Sequence, residues 1–353
     1  MNKIEYRKVY KNFPVKGKLF EKKQLHAVSN VSFSIEEGRT LAVVGESGCG
    51  KTTLARLLLK LHEPSAGEIL VDGEPISAVK GRKALRDFRS RIQMIFQDPF
   101  GSLNPAHTVG DIIGRAVTLH AGRIKTGEGR RRVTGLLELV GLTPAEDFIG
   151  KHPAQLSGGQ RQRIVIARAL AVNPSVIVAD EPTSMLDVSI GIDIMNLLLE
   201  LKEKQGLTMM YITHNLASAR YMADHMAVMY AGTCVEYGHI DDMIERPCHP
   251  YTILLLNSTP EPFLKEKITV EAKEENPDLT GLKRQCMFSN RCPLAQDRCY
   301  TTEPPEYVFG DRRIKCYLYE QGGSADIPRI SAAIYEPVHA PKEKQGENSK
   351  KPS

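Results

Sequence analysis

The sequence lacks any long hydrophobic run. No window approaches 18 uninterrupted apolar residues, so no stretch of it is expected to cross a membrane as a helix. It also lacks a strong charge of either sign. The 47 basic against 42 acidic residues leave only +5, too little to suggest a nucleic-acid partner. Met1 to Tyr10 is charged and holds no apolar core, so no secretory signal is expected. A chain kept in a reducing cytosol would hold its seven cysteines as thiols or metal ligands, not as disulfides. Internal repeats are absent, and the one biased stretch is the polar tail at 336–353, expected to be disordered. What remains is a globular composition, 41% apolar, with length for two domains or one large domain and an appendage.

The organising stretch is Gly45-Glu46-Ser47-Gly48-Cys49-Gly50-Lys51-Thr52-Thr53, which fits G-x-x-x-x-G-K-[ST]. The apolar run Thr40–Val44 before it reads as a buried strand, and Leu54–Leu59 after it as a helix. Such a loop wraps backbone N–H groups around phosphate oxygens, and the helix N-terminus adds its positive dipole end. Lys51 would then reach the β- and γ-phosphates, and Thr52 would offer its hydroxyl to Mg²⁺. Cys49, at the same helix start, is expected to have a lowered thiol pKa.

Further strands are expected at 28–35, 67–73 (closed by an Asp72-Gly73 turn), 91–96, 175–179 and 207–213. Gln97 stands where the third gives way to loop. It can contact Mg²⁺ and the attacking water, or simply cap a turn. Residues 109–142 turn helical, with a basic run at 123–132 read as a solvated face. Leu156-Ser157-Gly158-Gly159-Gln160 opens another helix, with Ser157 as its cap, and leaves a second anion-binding end. The strand at 175–179 delivers two adjacent carboxylates, Asp180 and Glu181, to the carboxyl edge of a parallel sheet. Neighbouring strand residues face opposite ways, so Asp180 suits Mg²⁺ and Glu181 suits the hydrolytic water as general base. His214 ends the last strand at the same edge, either structural or a γ-phosphate sensor.

Past Pro260 the composition shifts to Pro, Glu and Lys, a linker through about 278. Cys286, Cys292, Cys299 and Cys316 follow at C-x₅-C-x₆-C-x₁₆-C, a grouping that suits either tetrahedral Zn²⁺ or an iron–sulfur cluster.

With the loop at 45–53, Gln97, Leu156–Gln160, Asp180-Glu181, Ser184–Asp187 and His214 in this order, residues 5–258 resemble an ATP-binding cassette ATPase. The stretches Phe96–Pro105, Thr108–Ile113 and Arg246–Thr252 are similar to ATPase subunits of the oligopeptide/dipeptide permease family. The resemblance implies an α/β phosphate-loop NTPase fold, a parallel-sheet core with an N-terminal antiparallel β-subdomain and an inserted helical subdomain at about 98–172. It places an ATPase domain at 1–258 and a small Cys-rich C-terminal domain at 259–335. ATP with Mg²⁺ would bind Phe13, stacked on adenine, the loop Gly45–Thr53, Gln97 and Asp180. Ser157, Gly158, Gly159, Gln160 and Asp187 would close over nucleotide held by a second ATPase subunit. Two transmembrane permease subunits and an extracytoplasmic binding protein would complete an importer, with the chain on the cytoplasmic face of the membrane. In similar tails the four cysteines hold a [4Fe-4S] cluster, so that cofactor is the expectation, with Zn²⁺ as the alternative. Met185 departs from the family's usual Ala, at a position that bears on the dimer contact.

Dipeptides, longer peptides, nickel chelates and oligosaccharides all fit this resemblance as cargo. Non-transport cassette ATPases fit less well. Translation-type members carry two cassettes, and repair-type members insert long coiled coils where this chain has about a hundred residues.

Overall fold

The computed structural model of the chain describes residues 1–16, 22–121, 126–258, 279–280 and 285–320. The expected linker at 259–278 and the polar tail at 336–353 lie outside the described residues.

Two sheets carry the fold. The first is antiparallel, in the order β2-β1-β4-β5, formed by β1 (Asn2–Lys16), β2 (Lys22–Glu36), β4 (Ala66–Val71) and β5 (Glu74–Pro75). The turn between β4 and β5 is Asp72-Gly73, as the sequence suggested. The second has eight strands in the order β11-β12-β10-β9-β3-β8-β7-β6. Its parallel part comprises β3 (Thr40–Val44), β6 (Ile92–Ile95), β7 (Val176–Asp180), β8 (Thr208–Thr213) and β9 (His225–Tyr230). The antiparallel part is β10 (Thr233–His239), β11 (Tyr307–Phe309) and β12 (Arg312–Ile314).

Strands β3, β7 and β8 are buried along their whole length, as a parallel sheet covered on both faces requires. On one face Tyr6, Phe33, Leu54 and Met210 pack with Val43 and Val178. There the Tyr6 hydroxyl donates to the Leu54 carbonyl at 3.0 Å, tying the antiparallel sheet to the helix Lys51–Leu58. On the other face the helices Gly158–Leu170 and Val188–Gln205 bury Ile164, Val165, Ile194 and Leu198 against Ile177 and Tyr211. The helices Val109–Ala121 and Thr126–Leu139 stand where helical periodicity was read, and Arg130, Arg131 and Arg132 are exposed there.

The register sets the site. Val44 pairs with Thr213, Asp180 with Ile212 and Ile95 with Ala179, so four strands end their carboxyl termini along one edge.

Residues 285–320 attach to this body through β12, which pairs Ile314 with Glu236 and Arg313 with Tyr237. A buried ion pair reinforces the join. Glu236 accepts from Arg312 Nε at 3.1 Å and Nη2 at 2.5 Å, and from the backbone N–H groups of Cys248 and His249 at 3.0 and 2.9 Å.

Candidate active site

The loop after β3 is shaped by close backbone approach. Gly45 lies at φ 150°, where a Cβ would come within 2.2 Å of the Met229 carbonyl oxygen. Gly50 lies at φ 105°, where a Cβ would meet the Ala27 carbonyl oxygen at 2.3 Å. Neither position accepts a side chain, so the glycines of the motif have a steric cause in this chain. Lys51 is buried at the start of the helix Lys51–Leu58, and its ammonium donates to the carbonyls of Gly45 at 2.7 Å and Glu46 at 2.9 Å. That arrangement curls the loop around one cation.

Asp180, at the end of β7, is buried beside the loop and interacts with the Thr52 hydroxyl. Burial raises its pKa above the usual carboxylate range, against the lowering pull of Thr52, Lys51 and Arg56. A divalent cation held by Thr52 and Asp180 would offset that desolvation, so the pair fits Mg²⁺.

Glu181 is held differently. Its φ of 48° is left-handed, a conformation that costs a non-glycine residue about 1–3 kcal/mol. The turn swings its carboxylate off the strand, where Gln97 Nε2 donates to one oxygen at 2.9 Å and His214 Nδ1 lies 3.1 Å from the other. Three residues from the ends of three neighbouring strands therefore meet on one carboxylate. They can orient a water for attack on a phosphate, with Glu181 taking its proton.

Ser157 and Gln160 form a reciprocal capping box. The Gln160 N–H donates to Ser157 Oγ at 3.2 Å, and the Ser157 N–H to Gln160 Oε1 at 3.0 Å. Gly158 and Gly159 pack so close to Leu186 and Ile190 that a Cβ would meet them at 3.2 and 2.8 Å. Asp187 caps the next helix through its backbone carbonyl, which accepts from Gly191 N–H at 2.8 Å. Ser157 and Gln160 thus bond to each other, and the Glu181 carboxylate is met by Gln97 and His214.

Phe13 is half-buried on β1, opposite Leu25 of β2, with His62 edge-on at 5.2 Å and the Lys11 ammonium at 5.0 Å from its ring. The adjoining stretch of β2 approaches the phosphate loop where the Ala27 carbonyl faces Gly50.

Two expectations fail. Cys49 is buried, and desolvation raises its thiol pKa, outweighing the pull of Lys51 and the helix end. The iron–sulfur cluster is overturned as well, together with its zinc alternative. Among the described residues no group of three or more His, Cys, Asp or Glu side chains is arranged to hold a metal. Cys286, Cys292, Cys299 and Cys316 instead line a small cavity with Phe288, Leu294 and Leu318. Burial pushes the thiols of Cys286 up to about 11 and of Cys292 and Cys316 up to about 12.

Comparison with known proteins gives the architecture its family. Residues 28–184 match the model of the ABC transporter family, and residues 235–299 that of the oligopeptide/dipeptide transporter C-terminal region. The chain is 41% identical to the oligopeptide transport ATP-binding protein AppF of Bacillus subtilis, over 90% of this chain and 97% of that protein. The chain belongs to the ABC transporter ATP-binding proteins. It is 40% identical to the di/tripeptide transport ATP-binding protein DppF of Pseudomonas aeruginosa, over 84% of this chain and 91% of the other. Its fold superposes on the dimeric ATP-binding cassette MJ0796 in a post-hydrolysis state with ADP and Pi, at a TM-score of 0.59 and 31% identity. That match covers 67% of this chain and 98% of the cassette. This ABC protein is thus an ATPase whose hydrolysis is coupled to transport. Among its described residues no helix is long and apolar enough to cross a membrane.

Sequence reading missed the partners that hold the loop from behind. Tyr251 Oη accepts from the Glu46 N–H at 3.0 Å, and Arg291 grips the Glu46 carboxylate. No local pattern links positions 205 and 245 residues apart.

Proposed function

We propose that this ABC ATPase energises the import of dipeptides or oligopeptides, working as one of two subunits that sandwich ATP between them. The meeting of Gln97 and His214 on Glu181, beside the loop that carries Lys51, carries the catalytic reading. The likeness to AppF and DppF along nearly their whole lengths carries the cargo. Phe13 stacks on adenine; Gly45–Thr53 cradle the phosphates, Lys51 compensating their charge. Thr52, Asp180 and Gln97 hold Mg²⁺. Glu181 is the general base, and His214 donates to the γ-phosphate. Ser157–Gln160 and Asp187 serve the nucleotide on the partner ATPase. Residues 1–258 form the ATPase domain, with the helical subdomain at about 98–172, and 259–335 form the appended C-terminal region.

The cleft between Leu61, Arg89, Phe96, Gln97 and Arg168 seats a permease subunit, and its nearness to Gln97 would pass motion between pore and active site. The protein accordingly works at the cytoplasmic face of the membrane, with an extracytoplasmic binding protein choosing the solute.

The test is Glu181→Gln in the assembled transporter. ATP binding should persist while turnover and peptide uptake fall together by roughly 10²–10⁴-fold, the range for a lost general base. Near-normal hydrolysis would reject Glu181 as base. Normal hydrolysis by the unaltered complex with no peptide-dependent stimulation would reject the cargo.

A further inference from the structure

Glu46 places a carboxylate at the second position of a loop whose other groups present N–H donors and an ammonium to an anion. In such a loop a bare negative charge opposes a polyphosphate. The chain answers it from far along the sequence. Arg291 Nη1 donates to Glu46 Oε2 at 2.9 Å and Nη2 to Oε1 at 3.0 Å, a two-pronged grip. The guanidinium is caged by aromatic rings, 5.7 Å from the Tyr230 centroid and 5.8 Å from that of Phe288, and only 15% of the side chain is exposed. Tyr251 packs on the same two rings, at 4.5 and 5.4 Å, while its hydroxyl accepts from the Glu46 N–H. Backbone and side chain of Glu46 are therefore both fixed by one aromatic cluster that the segment after residue 285 completes.

We propose that Arg291 is a positioning residue for ATP binding: it neutralises Glu46 and fixes the phosphate loop from the C-terminal region. The pair is a poor candidate for fold stability alone. Glu46 remains 41% exposed, and ion pairs that open to water contribute little to folding. Its charge matters where the ligand's own charge lies. The inference rests on the reading that Gly45–Thr53 holds the nucleotide phosphates, and Lys51→Ala is the control for that reading.

The experiment measures equilibrium binding of a fluorescent ATP analogue, the KM and kcat for ATP hydrolysis, and thermal stability. The proteins are the full-length chain, Arg291→Gln, Glu46→Gln and the double variant. Arg291→Gln should weaken ATP binding and raise KM by about tenfold, with kcat at saturation and the melting temperature nearly unchanged. The deficit should shrink as salt rises, because the uncovered charge is screened. Adding Glu46→Gln should restore affinity to within about threefold of the parent, since the repelling carboxylate is then gone. Parent-like affinity in Arg291→Gln, or a folded double variant as weak as the single, overturns the proposal. If Arg291→Gln does not fold, Arg291→Lys takes its place. It keeps the charge and loses the fork: affinity within about threefold of the parent supports neutralisation, whereas a larger loss that rising salt does not diminish overturns it. Lys51→Ala binding ATP like the parent would sink the reading of the loop itself, whatever Arg291 does.

Discussion

Lowering pH should destabilise this protein through one residue, His249. It precedes the helix Pro250–Asn257, and its Nδ1 accepts the Tyr251 N–H at 3.1 Å, capping the helix. A protonated imidazole has no lone pair at Nδ1, so uptake of a proton breaks the cap and buries a charge. Burial accordingly pushes its pKa down from 6.5 to about 4, against the upward pull of Glu236. The folded-state value lies below the unfolded one, so between the two the unfolded chain binds more protons. The contribution of neutral His249 is therefore complete above the unfolded value and is lost as pH falls toward 4. A difference of this size corresponds to about 3 kcal/mol in full, of which about 2 kcal/mol is lost between pH 7 and 5. Urea unfolding followed by circular dichroism at those two pH values measures it. His249→Asn supplies a cap that does not titrate, and its loss between pH 7 and 5 should be smaller than the parent's by about 2 kcal/mol. Parallel pH dependence in the two proteins would refute the reasoning.

Arg312→Met leaves the fully buried Glu236 with only two backbone donors, which should cost about 3–5 kcal/mol in the same unfolding assay. Adding Glu236→Gln should recover part of that, and a loss below about 1 kcal/mol from Arg312→Met would count against the pair. Cys49 should react with a thiol reagent at pH 8 at least about tenfold more slowly in the native protein than in urea, being buried with a raised pKa. Mass mapping of the labelled peptide reads this directly, and equal rates would contradict the burial.

The motifs in this chain were legible because each is local. A strand, a loop of fixed glycines and a helix are contiguous at 40–58, and one run of sequence delivers Asp180 and Glu181 to a sheet edge. What strand geometry does not give is the left-handed turn at Glu181, which follows the strand's last residue. The N-terminal hairpin, with β1 and β2 fifteen residues each, was only half visible, since bulges at positions such as Lys8 and Asn30 interrupt its alternation. The cysteines misled for a different reason. Spacing counts ligands but is silent on whether the fold arranges them to hold a metal. Arg291, Tyr251 and Arg312 were invisible because each acts across scores or hundreds of residues, on a partner that only the folded chain brings near.

The join between Glu236 and Arg312 bears on how the molecule is made. A ribosome releases the strand bearing Glu236 well before it releases Arg312, and domains begin folding as they emerge. Until the last strands arrive, the carboxylate has no cation and its pocket must stay hydrated. Sealing that corner of the sheet is therefore a late event in synthesis, and the earlier part of the chain waits, with a wet seam, for its own end.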